Sequence, residues 1–354
     1  MFNLGLIGLG GIMHGAHIPG IKRCPDLAVH AICDIKPDAL ARTGDELGIP
    51  EERRFADYRD LLACPGVDAV DIATPNDVHA KIAMAAIKAG KPVSCEKPLA
   101  MNAADAQALA YAAAVAKLPN MVCFSYRYRY AARLAREMIR RGDIGEIHHV
   151  AIQYMQHWGL AECNCSLVWR FVKEKTGSGA LGDLGSHAAD LVRFVTGCDY
   201  RRVVGHCGTI IHERPVANDP NVKGPVDVDD YANYMAELSN GASCCFQITR
   251  FAYGRGNYQR MEIYGSKGAL VYKLDDNGSG RDTLEACVGP VYNRTGRYTE
   301  LPIPDYRIHQ MQSFANELKG TGDGQTATLA DGAYNMRVMD AVLESARTGA
   351  WVNI

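Results

Sequence analysis

The chain has 354 residues, 47% hydrophobic and 22% charged, a balance typical of globular proteins rather than disordered or fibrous ones. A formal net charge of -2 at pH 7 gives no basic field for phosphate backbones or anionic lipids, so we expect no nucleic-acid partner and no membrane partner. No segment reaches the roughly 18 apolar residues of a membrane span, and the length suggests two domains.

The predicted compartment is the cytoplasm. The N-terminal residues lack the basic region and small-residue cleavage site of a secretory signal, and the twelve cysteines are scattered through predicted helices and strands. Cys163 and Cys165, with His157 upstream, could in principle bind a metal. They lack the C-x-x-C repeat of a structural zinc site, and the alternative is a polar loop over a cleft. We predict reduced thiols and no metal site.

Up to residue 124, short β-branched runs alternate with helical stretches, which is typical of βαβ units around a parallel sheet. Strands are predicted at 4–7, 29–33, 69–73, 92–95 and 121–124. Helices are predicted at 37–47, 77–88 and 102–117, with Gly48 and Gly90 at C-cap positions. We therefore predict a doubly wound α/β domain over residues 1–124.

Longer alternating runs dominate after a predicted helix at 131–141. Strands are predicted at 148–156, 231–238, 243–250, 259–264 and 269–273, and helices at 181–195 and 329–347. Asn240-Gly241 between two runs indicates a hairpin. We predict residues 125–354 as one α+β domain on a large, mostly antiparallel open-faced sheet. A sheet with one bare face favours a homodimer or homotetramer that pairs through it.

A dinucleotide site is predicted where the first strand ends. Glycines permit a tight turn and a close approach of the backbone to a pyrophosphate at the start of a helix. The predicted cofactor-binding residues in this turn are Gly8, Gly10, Gly11, Ile12 and Met13. Asp34 ends the second strand, where a carboxylate accepts hydrogen bonds from a ribose and repels a 2'-phosphate. We therefore predict NAD rather than NADP; the alternative for Asp34 is a turn residue.

Four further motifs resemble those of the glucose-fructose oxidoreductase / inositol dehydrogenase (Gfo/Idh/MocA) family, and the similarity covers essentially the whole chain. They are Ala73-Thr74-Pro75-Asn76 with His79, Glu96-Lys97-Pro98-Leu99, Tyr126-Arg127 before a helix, and Gly182-Asp183-Leu184-Gly185-Ser186-His187 with Asp190. The resemblance implies an N-terminal Rossmann domain, an open-faced sheet domain and a nicotinamide cofactor.

The resemblance also assigns roles to these motifs. It implies cofactor contacts by Thr74, Pro75, Asn76, His79, Glu96 and Lys97. Catalysis is assigned to Lys97, Asp183 and His187, and the bond between Lys97 and Pro98 is a candidate cis peptide. This chain departs from the family pattern at Met13 and at residues 157–169, and the second departure leaves the substrate open.

These residue types suit alcohol oxidation, which removes a proton from oxygen and a hydride from carbon. His187 suits the role of base because a free imidazole titrates near neutrality, and Asp183 precedes it by one helical turn. An ammonium group at Lys97 would stabilise a developing alkoxide. Substrate contacts are predicted for Lys97, Asp183, His187, Tyr126, Arg127, Trp158 and Trp169. The alternative for Tyr126, Arg127 and the two tryptophans is core packing or a surface ion pair. His17 and His79 are expected to be structural or cofactor-loop residues.

The predicted function is an NAD-dependent dehydrogenase that oxidises a secondary hydroxyl of a cyclic polyol, sugar or glycoside. One alternative is a redox-neutral enzyme that retains NAD and cleaves glycosides. Another is a sensor that binds NAD or sugar without catalysis. The exact substrate, the physiological direction and the choice between dimer and tetramer are left open by the sequence.

Overall fold

A computed structural model describes residues 1–217, 219–275, 281–288 and 297–354. The chain divides into two compact units. The first contains Met1–Ser125 and Arg307–Met336, and the second contains Tyr126–Tyr306 and Arg337–Ile354. Within the described ranges, no helix combines the length and the apolar character that crossing a bilayer requires.

The first unit is built on a six-stranded parallel sheet in the order β3-β2-β1-β4-β5-β6. Its strands are β1 Phe2–Ile7, β2 Leu27–Cys33, β3 Arg54–Phe55, β4 Ala69–Ile72, β5 Val93–Cys95 and β6 Asn120–Val122. Its helices are α1 Ile18–Lys22, α2 Pro37–Leu47, α3 Tyr58–Ala63, α4 Asn76–Lys88, α5 Ala103–Ala116 and, later in the chain, α9 Gln310–Leu318. This is the predicted doubly wound α/β architecture, with β3, α1, α3 and α9 as additions to the prediction.

Local sequence explains the ends of these helices. Asn102 caps α5 by accepting a hydrogen bond from Asp105 N at 2.9 Å. Gly48 ends α2 in the left-handed region, as predicted for a C-cap. All four residues of β4 are buried, which is typical of a central parallel strand, and one of them is the carboxylic acid Asp71. A buried acid in such a strand requires a partner.

The segment Arg307–Met336 groups with the first unit, whereas the sequence prediction placed it in a continuous second domain. Met311 and Phe314 of α9 belong to the apolar core beneath β1. Further along, Val122 N in β6 donates to Ala327 O at 2.8 Å. The difference arises from tertiary packing, because the segment supplies apolar side chains that cover the sheet of the first unit. Its local sequence pattern predicts a helix but does not indicate which sheet that helix covers.

The second unit is built on a nine-stranded sheet in the order β16-β15-β14-β13-β7-β12-β11-β8-β17, with β9 and β10 as a separate pair. Its strands are β7 Ile147–Met155, β8 Tyr200–Gly208, β9 Glu213–Val216, β10 Asp219–Pro225, β11 Tyr231–Leu238, β12 Ser243–Thr249, β13 Tyr258–Gly265, β14 Gly268–Asp275, β15 Asp282–Val288, β16 Thr299–Glu300 and β17 Val352–Asn353. Its helices are α6 Tyr130–Arg141, α7 Lys173–Thr176 and α8 Ser186–Thr196; α10 Leu329–Thr348 begins in the first unit and ends in the second.

The large sheet is mixed, because β7 and β12 pair in parallel while its other described neighbours pair antiparallel. The predicted hairpin at Asn240-Gly241 joins β11 and β12. Burial alternates along β12, with Cys244, Phe246 and Ile248 inside and the residues between them exposed. One face of the sheet therefore carries the core, and the other is open, with Met235 among its exposed residues.

Candidate functional site

The turn after β1 has the geometry of a dinucleotide turn. Gly8 has a φ of +90°, and a β-carbon there would lie 2.7 Å from the carbonyl carbon and oxygen of Ala73, so only glycine fits. At Gly10 and Gly11 an added β-carbon would meet no described atom within 4 Å. The open backbone at the start of a helix is the space that a pyrophosphate requires.

Residues Ile12 and Met13 begin the helix that follows this turn. The side chain of Ile12 is exposed, whereas that of Met13 lies in the core with Leu4 and Leu6. Residues Met13–His17 form one π-helical turn before α1. Met13 stands where the third glycine of a G-x-G-x-x-G turn usually lies. Its larger side chain is accommodated because it points into the core, away from the open side of the turn.

The carboxylate of Asp34 stabilises the same turn. Its Oδ2 accepts a hydrogen bond from Leu9 N at 2.7 Å, and its Oδ1 accepts one from Lys36 N at 2.9 Å. Each carboxylate oxygen has a second lone pair, so these bonds leave acceptor capacity for ribose hydroxyls. Asp34 is thus a turn residue in the structure, and its role in binding a ribose stays a prediction.

His79 connects two turns that the sequence assigned to the cofactor. It is buried in α4, its Nδ1 lies 2.8 Å from Pro98 O, and its Nε2 lies 2.8 Å from Thr74 O. Pro75 precedes α4, and Asn76 is its first residue. Burial lowers the pKa of His79. A neutral imidazole has one N–H, so it donates to one of the two carbonyls at a time.

Glu96 and Lys97 follow β5 at the carboxyl edge of the parallel sheet, the edge where such folds bind ligands. Glu96 N donates to Ile72 O at 2.8 Å, and Lys97 N donates to Glu96 Oε2 at 3.1 Å. The peptide between Lys97 and Pro98 is cis, which confirms the expectation from the resemblance.

A buried ion cluster of His17, Asp71 and Glu96 lies beneath this turn. His17 was expected to be a structural or cofactor-loop residue, but the sequence did not indicate its two carboxylate partners. His17 Nδ1 is 2.7 Å from Asp71 Oδ2, and His17 Nε2 is 3.0 Å from Glu96 Oε1. Burial alone would lower the pKa of His17, but the charge of Asp71 and the hydrogen bonds that the ring donates to both carboxylates outweigh it and raise the pKa to about 10. Contact with His17 lowers the pKa of Glu96 despite its burial. His17 is therefore a cation that connects the cofactor helix to the Glu96 turn.

Two residues of this cluster, His17 and Asp71, also lie close to Cys123. The possible ligand atoms of the three side chains lie within 4.8 Å of one another, which is a spacing that could hold a metal ion. A protonated imidazole has no lone pair for a metal. Two members of this group, His17 and Asp71, are the ion pair described above. Around Cys163 and Cys165 the described side chains form no such group. Cys163 Sγ instead lies 3.3 Å from His157 O.

In the second unit, one helical segment contains both Asp183 and His187. Residues Leu181–Gly185 form a π-helical turn that continues into α8. Asp229 caps its start, because its carboxylate accepts bonds from Gly179 N at 2.6 Å and Leu181 N at 2.7 Å. The sequence analysis missed Asp229; the acidic run of residues 227–230 before β11 is the signal that pointed to it.

His187 lies in an aromatic pocket. It is 7% exposed, and its ring meets that of Tyr126 edge-on with centroids 4.8 Å apart. The Tyr126 hydroxyl lies 2.6 Å from that of Tyr154 and donates to Asn257 Oδ1 at 3.1 Å. Burial, with a smaller effect of Tyr126, raises the pKa of Tyr154 well above its usual range. The Tyr154 phenol therefore stays neutral, and the structure brings Tyr126 and His187 together.

Arg127 forms a bidentate ion pair with Asp190 of α8. Its Nε donates to Asp190 Oδ2 at 2.8 Å and its Nη2 donates to Asp190 Oδ1 at 2.6 Å, and both side chains are buried. Arg127 is thus ion-paired, but in the interior of the unit and not at the surface as the alternative expected, and the pair connects Arg127 to α8. A role of Arg127 in substrate binding stays a prediction.

The two predicted tryptophans lie in the segment of residues 157–171, which includes the departure from the family pattern at residues 157–169. Both are half-buried. Trp158 Nε1 donates to Gln156 Oε1 at 2.7 Å, and the guanidinium of Arg170 lies 4.4 Å from the Trp169 ring centre. Each tryptophan therefore retains accessible aromatic surface.

Comparison with known proteins agrees with this geometry. The profile of the oxidoreductase family with an NAD-binding Rossmann fold matches residues 2–124, and that of the GFO/IDH/MocA C-terminal domain matches residues 132–271. A levoglucosan dehydrogenase of Pseudarthrobacter phenanthrenivorans is 34% identical over 99% of this chain and 98% of that protein. A myo-inositol 2-dehydrogenase of Thermotoga maritima is 25% identical over 91% and 89%.

Solved structures give the same result. A levoglucosan dehydrogenase in complex with NADH and levoglucosan aligns with a TM-score of 0.88 and 32% identity over 100% of this chain and 99% of that chain. An oxidoreductase domain protein from Kribbella flavida aligns with a TM-score of 0.88 and 34% identity over 100% of both chains. The resemblance inferred from the motifs is confirmed: the chain belongs to the GFO/IDH/MocA family of oxidoreductases, and its first unit is an NAD-binding Rossmann domain.

Proposed function

We propose that this protein is an NAD-dependent dehydrogenase that converts a secondary hydroxyl of a cyclic polyol, sugar or glycoside into a ketone. The reaction consumes one alcohol and one NAD⁺ and yields one ketone, one NADH and one proton. The observation that carries the proposal is the helical segment with Asp183 and His187, which is capped by Asp229 and backed by Tyr126. A base on a rigid, nearly dry support is what proton removal from an alcohol needs.

We assign the roles within that reaction as follows. His187 removes the hydroxyl proton, and Asp183 orients the imidazole or accepts a hydrogen bond from a neighbouring substrate hydroxyl. Lys97 donates a hydrogen bond to the reacting oxygen and stabilises its developing charge. NAD, when bound in the first unit, would supply the acceptor for the hydride of the carbinol carbon. Lys97 lies in the first unit, whereas Asp183 and His187 lie in the second. The proposal therefore requires that all three side chains contact the same substrate molecule.

A 1,6-anhydro sugar is the first substrate to test. The relative with 34% identity is a levoglucosan dehydrogenase, and a related structure contains levoglucosan. The half-buried faces of Trp158 and Trp169 offer apolar surface of the kind that packs against pyranose C–H groups. We place Tyr126 and Arg127 in the same substrate-binding set.

The test is NAD reduction, followed at 340 nm, across levoglucosan, inositols, free hexoses and plant glycosides. Net NADH production with one class supports the dehydrogenase. Aryl glycoside cleavage without net NADH would replace it with the redox-neutral alternative. Sugar binding with neither reaction would replace it with a sensor.

The roles are tested by substitution at two sites. His187→Asn and Lys97→Met should each lower kcat at least 100-fold, because each removes a group that acts on the transition state. His212→Asn and Lys88→Met are matched controls at exposed positions outside the nine-stranded sheet and should retain wild-type turnover. Full activity of both site variants would end the assignment.

We further propose that the open face of the nine-stranded sheet pairs with a second copy to give a homodimer or homotetramer. Its exposed apolar residues include Met235 and Tyr264. Sedimentation analysis at micromolar concentration should give a mass of two or four chains. Met235→Lys on that face should shift the mass toward one chain, whereas a monomeric wild type would contradict the proposal.

We also propose a cytoplasmic location. All twelve cysteines are free thiols in the structure, which fits a reducing compartment. Cell fractionation with a tagged full-length chain tests it, and recovery from an oxidising compartment would contradict it.

A further inference from the structure

We propose that Arg250 is a positioning residue for Asp183, and that it couples the orientation of this carboxylate to the segment of residues 157–171. This inference rests on the proposed function, because it gives Asp183 a place in the reaction. The sequence analysis treated Arg250 as the last residue of an alternating strand. The structure places it directly after β12, with a side chain that is 1% exposed.

The contact with Asp183 is an ion pair. Arg250 Nη2 lies 3.3 Å from Asp183 Oδ2, and the Asp183 side chain is 24% exposed. One end of this pair is therefore inside the protein, and the other reaches its surface. A buried guanidinium needs a counter-charge. Because the Arg250 side chain is buried and surrounded by packed residues, it cannot follow the carboxylate, and the pair therefore restricts rotation of the Asp183 side chain.

Arg250 also supports the segment of residues 157–171. Its guanidinium carbon lies 4.6 Å from the Trp158 ring centre and 5.9 Å from that of Phe171, distances at which a cation is attracted to an aromatic face. Its main-chain carbonyl accepts a hydrogen bond from Gly159 N at 3.0 Å. One residue thus contacts the predicted catalytic carboxylate and the predicted substrate-binding tryptophan.

Arg214 provides a natural comparison. It is 2% exposed, its guanidinium carbon lies 4.2 Å from the Phe171 ring centre, and it donates hydrogen bonds to Gly159 O and Cys165 O. It therefore fastens the same segment as Arg250. Its described hydrogen bonds go to main-chain oxygens, whereas Arg250 also reaches the carboxylate of Asp183. Comparing substitutions of the two arginines therefore distinguishes two effects: loss of support for the segment of residues 157–171, and loss of positioning of the Asp183 carboxylate.

The experiment compares substitutions of the two arginines in the full-length enzyme with saturating NAD and the best substrate of the panel. Arg250→Met should lower kcat at least 10-fold, and Arg250→Lys, which keeps the charge, should recover most of it. Arg214→Met should mainly raise KM. In an Asp183→Asn background, Arg250→Met should change kcat less than twofold, because the carboxylate through which it acts is already gone. Equal kcat losses for Arg250→Met and Arg214→Met, or a full 10-fold further loss in the Asp183→Asn background, would overturn the proposal.

A second measurement does not depend on turnover and so separates failure of this inference from failure of the proposed function. The melting temperatures of wild type, Arg250→Met, Asp183→Asn and the double variant form a cycle. We expect the double variant to melt no lower than Arg250→Met, since the aspartate loses its ionic partner when the arginine is removed. Additive decreases would show that the two side chains are not coupled, even if the wild type reduced no NAD with any sugar.

Discussion

Replacing His17 by glutamine should remove a dependence of stability on alkaline pH that the wild-type protein has. In the folded state His17 lies between Asp71 and Glu96, and its pKa is raised from 6.5 to about 10. Below pH 6.5 both the folded and the unfolded states bind the proton, and the full stabilisation is present. Between pH 6.5 and about 10 only the folded state holds it, so the free energy of unfolding decreases as pH rises.

The size of this effect follows from the raised pKa. One pKa unit corresponds to about 1.4 kcal/mol, so the 3.5 units between 6.5 and about 10 correspond to roughly 5 kcal/mol in total. Between pH 7 and pH 9 the wild type should lose about 2 to 3 kcal/mol through His17, because one extra proton is bound in the folded state over most of that range. The glutamine variant keeps hydrogen-bonding capacity but cannot bind that proton.

The assay must report on the first unit. The three tryptophans, at positions 158, 169 and 351, all lie in the second unit, so their fluorescence would not serve. Amide hydrogen exchange of peptides from Phe2–Ile7 and Ala69–Ile72, corrected for intrinsic rates, gives the local free energy of opening at pH 7, 8 and 9. His149→Gln, at an exposed position, should keep the wild-type slope. Identical slopes for wild type and His17→Gln would refute the buried cation.

Other predictions concern the cofactor turn and the helical segment. Asp34→Ala should weaken NADH binding at least 10-fold and reduce discrimination against NADPH, as measured by fluorescence titration, because it removes the carboxylate predicted to accept hydrogen bonds from the ribose and to repel a 2'-phosphate; unchanged affinity would leave Asp34 as a turn residue only, through its bond from Leu9 N. Gly10→Ala should fold normally, since no described atom lies within 4 Å of the added carbon, but lose NADH affinity. Gly179→Ala should lower stability by about 2–4 kcal/mol in urea unfolding, because its β-carbon would lie 1.8 Å from Asp229 O; wild-type stability would contradict the capping geometry.

Local sequence patterns predicted those parts of the fold that local physics determines. The alternation of period two along β12 and the turn at Asn240-Gly241 gave the hairpin, and the glycine turn with Asp34 gave the NAD site. These features depend on residues close in sequence or on motifs whose geometry is fixed. The order of strands in the nine-stranded sheet did not follow from them, because register between distant strands leaves no local signal.

Long-range polar pairs were the other failure. His17 and Asp71 are 54 residues apart, and Asp183 and Arg250 are 67 apart. A histidine in a helix and an arginine after a strand are unremarkable in isolation. Only their burial shows that each must have a charged partner. The short buried strand that contains Asp71 was the one sequence signal that could have indicated such a pair.

The division of the first unit between two stretches of chain has a consequence for biosynthesis. Residues Arg307–Met336 complete its core, so a nascent chain that has emerged only as far as Ser125 lacks Met311 and Phe314. Such a chain exposes apolar surface until nearly all of the protein has left the ribosome. The Rossmann unit therefore completes its folding late in translation, although it begins the polypeptide.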